Sequence, residues 1–117
     1  MLQMARSAEI RFLNTSHGRA ARWQGRSGRV YELLGESLEN FSVADDYLYL
    51  IAKGGHALWV GSTEELVGDP ISRSRFRLAL DCADRVFRVC SPGAANERLS
   101  IIWDLESAAP LLIRSAA

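Results

Sequence analysis

Two β-rich runs flank a diglycine at the centre of the chain. Tyr47-Leu48-Tyr49-Leu50-Ile51 is apolar or aromatic throughout, and Ala57-Leu58-Trp59-Val60 follows Gly54-Gly55. This pattern predicts an antiparallel hairpin over 46–61 with the diglycine at its turn. The first run has no polar side and suits a strand buried on both faces. Further on, Phe76, Ala79, Leu80 and Ala83 recur at i, i+3, i+4 and i+7, one face of a helix. Asp69-Pro70 supplies its start: the carboxylate accepts a free amide hydrogen, and proline suits the first helical position. A helix over about 70–83 is expected.

The remaining patterns are shorter. Glu9-Ile10-Arg11-Phe12-Leu13 alternates and reads as a strand. Val30 to Leu34 reads as a strand ending at Gly35, although Val30, Leu33, Leu34, Leu38 and Phe41 also fit a helical spacing. Arg85 to Cys90 reads as a strand closed by Ser91-Pro92-Gly93. Arg98 to Leu105 reads as another, with Leu99, Ile101 and Trp103 on one side. Residues 14–29 hold Ser16, Gly18, Gly25, Ser27 and Gly28, which is loop composition. The Ala- and Ser-rich tail over 107–117 should be partly flexible, with Leu111-Leu112-Ile113 free to dock. Together these predict one α+β domain over 1–117. Its core is a mostly antiparallel sheet of about five strands with the 70–83 helix packed on it.

Composition narrows the class. The 117 residues are 48% apolar and 24% charged, as in an ordinary globular domain. The longest purely apolar run is too short to span a bilayer. Residues 1–15 hold no apolar leader core, so no membrane association and a cytoplasmic location are expected. Cys82 and Cys90 match no zinc or redox spacing and should be reduced there. Formal net charge is zero, but it is unevenly placed. Residues 1–31 carry +5, residues 32–69 carry −7 and residues 70–117 carry +2. All but one of the basic residues are arginine.

The central hairpin also carries a family resemblance. Tyr47-Leu48-Tyr49, Trp59-Val60-Gly61, Ser62-Thr63 and Leu66 resemble the opening of the GIY-YIG nucleases. In that family a Gly-Ile-Tyr strand, a Tyr-Ile-Gly strand, Ser-Thr, a Leu and a catalytic Arg follow in that order. The resemblance implies that two tyrosines and the Arg surround a scissile phosphate while a downstream Glu on a helix holds one divalent metal. Here the second tyrosine position is Trp59 and the Arg position is Asp69. Trp has no phenolic oxygen to relay a proton. A carboxylate repels phosphate, and losing an Arg clamp costs roughly a thousandfold or more in rate. The expectation is a non-catalytic binding or regulatory module on a degenerate GIY-YIG-like scaffold. The alternative is a metal-dependent DNA endonuclease with a rearranged site built from Tyr49, Arg73, Arg75 and Glu106. Glu97 and Glu106 are the only downstream glutamates, and both fall beside the strand expected over 98–105.

Other chemistry is sparse. His17 and His56 read as surface residues near turns, and Asp45-Asp46 as turn chemistry. No phosphate loop, dinucleotide fingerprint, His-Glu-x-x-His or Gly-x-Ser-x-Gly occurs, so neither cofactor nor metal is expected. Two surfaces invite partners. Arg19, Arg22, Trp23, Arg26 and Arg29 place four guanidiniums and an indole in one basic segment, which suits phosphates and an unstacked base. Acidic residues over 32–46 flank Tyr31, Phe41 and Tyr47, which suits a basic protein partner or a second copy of the chain. Arg73, Arg75, Arg77, Arg85 and Arg88 read as a solvated face with local pairs such as Arg77 with Asp81.

Overall fold

The computed structural model describes residues 20–39, 41–44, 47–90 and 97–111. The strand expected over 9–13, Arg19 and Asp45-Asp46 lie outside them. The described elements are strands β1 (Ala20–Gln24), β2 (Val30–Glu36), β3 (Tyr49–Lys53) and β4 (His56–Gly61), helices α1 (Thr63–Gly68) and α2 (Pro70–Cys82), strand β5 (Arg85–Val89), helix α3 (Arg98–Leu105) and the short strand β6 (Ala109–Pro110). The six strands form one sheet in the order β4-β3-β5-β2-β1-β6, and every described pairing is antiparallel. The α+β class therefore stands.

The hairpin forms as its pattern predicts. Tyr49 pairs with Gly61 and Lys53 with His56, with a bulge at Leu58. Gly54 turns the chain at φ +58°, a conformation that only glycine adopts without strain. β3 is buried on both faces. Its Leu50 and Ala52 pack under α3, while Tyr49 and Ile51 pack under α2. Burying a side chain such as Leu50 stabilises the fold by about 1.5–3 kcal/mol. α2 starts at Pro70 with Asp69 accepting from the Ile71 amide. It buries Ala79 and half-buries Phe76 and Leu80.

Two expectations need correction. Residues 98–105 are helix α3, not a strand: Ile101, Ile102 and Leu105 turn inward while Leu99 and Trp103 face out. Eight residues with apolar positions at both periods satisfy either reading, and α3 instead covers the sheet face that α1 and α2 leave bare. Within the segment read as a basic loop, Ala20–Gln24 form strand β1, whose Trp23 sits opposite Tyr31 of β2. Of the tail, Ala108 is buried and Ala109–Pro110 pairs with β1, while 112–117 lie outside the described residues.

The sheet curls until the β3–β4 turn nears β6. A Cβ on Gly55 would stand 3.6 Å from the Pro110 ring. Between them lies an apolar cavity of about 670 Å³ walled by Trp23, Phe87 and Pro110. No helix among the described residues is long and apolar enough to cross a membrane. Cys82 and Cys90 are free and exposed.

Candidate functional site: motif positions and an aromatic-arginine surface

Of the positions of the family resemblance, Tyr49 and Trp59 pack on the α2 face of the hairpin, and Leu48 and Val60 on the α3 face. The Tyr49 ring is 3% exposed and meets Phe41 edge-on at 5.2 Å. Its hydroxyl accepts the Ala44 amide hydrogen at 3.0 Å. The Trp59 indole donates to Ser72 Oγ at 2.9 Å and packs on Phe76 at 4.8 Å. Gly61 is glycine for a packing reason: a Cβ there would lie 2.6 Å from the Trp59 ring. Ser62 caps α1 in a reciprocal box with Glu65, whose side-chain oxygens accept from free backbone donors at the helix start. Arg98 pairs with Glu64 and Glu65, tying α3 to α1.

The four residues of the rearranged nuclease site do not converge as a set. Arg73 donates to the carbonyls of Leu66 and Val67, closing the end of α1. Tyr49 is packed beneath α2. Arg75 and Glu106 do line one groove of about 330 Å³ beside β4, together with Ile71, Ser72 and Ile102, without pairing with each other. Glu106 ends a helix instead of following a strand. Among the described residues, no three of His, Cys, Asp and Glu come together in a way that could hold a metal ion.

The basic segment divides. Trp23 is 2% exposed, in the α3-side core, so it cannot stack on a base from solution. Strand alternation puts Arg22 on the opposite face, where it pairs loosely with Glu32 across the strands at 3.7 Å. Arg26 and Arg29 lie in the β1–β2 turn. The Arg26 guanidinium lies over the Trp103 ring at 4.3 Å and donates to Ser107 Oγ. Arg29 lies over Tyr31 at 4.7 Å. The exposed aromatic beside Arg26 is therefore Trp103, which stands in a different segment of the chain. Its signal was present as Leu99 and Trp103 at i and i+4, concealed by the strand reading. They are 65% and 53% exposed. A cleft of about 660 Å³ runs between this ridge and the turn, walled by Arg29, Tyr31, Leu99 and Trp103.

Asp104 fixes that geometry. It is 5% exposed and accepts from the Ser27 amide at 2.7 Å, the Ser27 hydroxyl at 2.7 Å and the Tyr31 hydroxyl at 2.8 Å. Its carbonyl accepts the Arg26 amide hydrogen. Burial alone would raise its carboxyl pKa. The two Ser27 bonds, the Tyr31 bond and the Arg29 charge outweigh that and hold it below its ordinary value. Tyr31 is pushed up to about 12, by burial first and then by the Asp104 bond and charge. Gly25 fits because a Cβ there would lie 2.6 Å from the Asp104 carboxylate.

The acidic-segment surface is also rearranged. Tyr31 is buried, and Phe41 packs between Tyr49 and Phe76. Tyr47 alone of the three is exposed, beneath Arg88. Arg88 pairs with Glu36, and Arg77–Asp81 is not among the ion pairs of the described residues. Comparison with protein-family models, curated proteins and solved structures finds no match to this chain.

Proposed function

We propose that the chain is a non-catalytic binding or regulatory module on a degenerate GIY-YIG-like scaffold, acting through the aromatic-arginine surface of the β1–β2 turn and α3. One observation carries the reading. At each position where the resemblance calls for a reacting group, the residue present is committed to folding: Tyr49 to the Ala44 amide, Trp59 to Ser72, Asp69 to the start of α2. Tyr49 and Trp59 are buried as well as hydrogen-bonded, which leaves them little to offer a phosphate, and the exposed Asp69 is a carboxylate that repels one. The exposed Leu99, Trp103 and Arg26 have the character of an interface anchor, since Trp and Arg dominate binding hot spots. One guanidinium on an exposed indole, Arg26 over Trp103, with Arg29 across the cleft, also suits a single-stranded nucleic acid.

The second reading is the metal-dependent endonuclease, favoured by Arg75 and Glu106 sharing a groove. The test is incubation with supercoiled plasmid and Mg²⁺ or Mn²⁺. No protein-dependent nicking is expected. Nicking that scales with protein and disappears in Tyr49→Phe would replace the first reading by the second.

A further inference from the structure

The sheet stops differently at its two edges. β6 closes one edge with two residues, of which Pro110 has no amide hydrogen to offer a further strand. β4 closes the other with six residues that include neither proline nor lysine. Among the described residues no strand pairs with its outer side. Edge strands of that length are ordinarily blunted or covered, because their free N–H and C=O groups invite another chain.

Around β4 the surroundings resemble a slot. Trp59 packs toward α2 and Val60 toward α3. The groove beside the strand has Ile71, Ser72 and Arg75 on the α2 lip, and Ile102 and Glu106 on the α3 lip. Leu58, at the bulge, is 38% exposed. The groove's other two carboxylates are engaged, Glu65 with Ser62 and Arg98 and Asp69 with the Ile71 amide. Arg75 and Glu106 form no ion pair with a described residue. Each lip thus holds one charge with no ion-pair partner among the described residues, and the two are of opposite sign.

We propose that the β4 edge accepts an extended segment of a partner protein as an added strand, with an acidic side chain toward Arg75 and a basic one toward Glu106. Neighbouring strand residues point to opposite faces, so the acid and the base must stand an odd number of positions apart. Main-chain hydrogen bonds supply the affinity of such an addition, and the flanking side chains supply the choice. A second copy of this chain fits less well. A two-fold β4–β4 pairing keeps each sheet face on its own side, so each Arg75 lip would face the other Arg75 lip. Like charges would then meet on both faces, which disfavours the pairing.

The experiment uses the full chain on an array of immobilised octapeptides in which one Glu and one Lys are moved through every pair of positions in a Thr/Val background. Retained peptides should carry Glu and Lys at odd spacing. Arg75→Glu combined with Glu106→Arg should weaken them by about fivefold per reversed pair and retain the same spacing with Glu and Lys exchanged. Leu58→Lys should lower retention of every peptide. Retention without odd spacing, retention indifferent to the double reversal, or no retained peptide would overturn the proposal. So would a wild-type dimer in sedimentation that Leu58→Lys abolishes, which would make the second copy the occupant.

Discussion

The two faces of the sheet use polar groups in opposite ways. On the α1/α2 face, the buried polar groups are served by partners no more than thirteen residues away. Tyr49 bonds to Ala44, Trp59 to Ser72 and Ser62 to Glu65. On the α3 face, one carboxylate gathers donors from a turn more than seventy residues away. Local bonds can be lost one at a time. A shared acceptor takes all its donors with it, and each buried orphan costs about 1–3 kcal/mol. The α3 face also bears the exposed ridge, so its rigid node stands directly beneath the surface proposed to bind.

That contrast is sharpest at Asp104. Replacing it with Ala should cost about 3–5 kcal/mol in denaturant unfolding, since three donors lose their acceptor together. A loss near that of Tyr49→Phe would show the two faces to be equivalent. The node also sets a pH dependence. The folded Asp104 carboxyl lies below its unfolded value of 3.8, so its contribution is present above that pH and is lost as pH falls through the folded value. Tyr31 is raised from 10.0 to about 12. Its contribution is present below pH 10.0 and is lost as pH rises toward 12. Asp104→Asn should move the alkaline limb to lower pH, as followed by tyrosinate absorbance near 295 nm.

Next in size is Gly25→Ala. The added methyl would press on the Asp104 carboxylate, and overpacking of this kind costs about 1–3 kcal/mol. The pairing of Gly25 N–H with the Arg29 carbonyl leaves the turn little room to yield. Gly68→Ala meets nothing within 4 Å and serves as the control. Equal effects from the two variants would show that the turn is loose.

What could be read in advance follows the same division. The hairpin and α2 were legible because their signals lie within a few residues of one another: a diglycine between β-rich runs, and Asp69-Pro70 ahead of a periodic face. The α3 side was not. Trp23 was assigned to a surface because arginines surround it and Tyr31 because an acidic segment follows it, yet the alternation of Ala21 and Trp23 against Arg22 and Gln24 is a strand's period. Asp104 stands between Trp103 and Leu105 with no local mark of its role, since its partners Ser27 and Tyr31 meet it only when the sheet has curled. The basic segment correctly supplied Arg26 and Arg29 as surface groups but not the aromatic beside them. That residue is brought in by tertiary structure.

On the other face, Tyr49→Phe should cost about 1 kcal/mol, the worth of one hydrogen bond whose donor, the Ala44 amide, lies in a loop. The ring keeps its contacts with Phe41, so a chemical-denaturation midpoint should move only slightly with an unchanged slope. A loss of several kcal/mol would mean that the hydroxyl has a second partner and that the face is less local than described.

The smallest expected effect on stability is at Leu99, and it carries the functional half of the comparison. Leu99 is 65% exposed on the outer side of α3, and Gln has nearly the same helix propensity. Leu99→Gln should therefore change unfolding free energy by less than about 0.5 kcal/mol. Binding should respond quite differently if this ridge is the contact surface. With a fluorescein-labelled single-stranded oligonucleotide at low salt, Arg26→Ala with Arg29→Ala should flatten the slope of log affinity against log salt by up to ~1.4 units if both touch phosphates. Leu99→Gln should leave that slope alone and weaken binding at every salt, because it removes apolar contact and no charge. If wild type shows no anisotropy change, the ridge contacts protein, and the same Leu99 variant is then the stable negative control for identifying that partner. A folded Leu99→Gln protein that keeps full affinity for whatever the wild type binds would remove α3 from the interface.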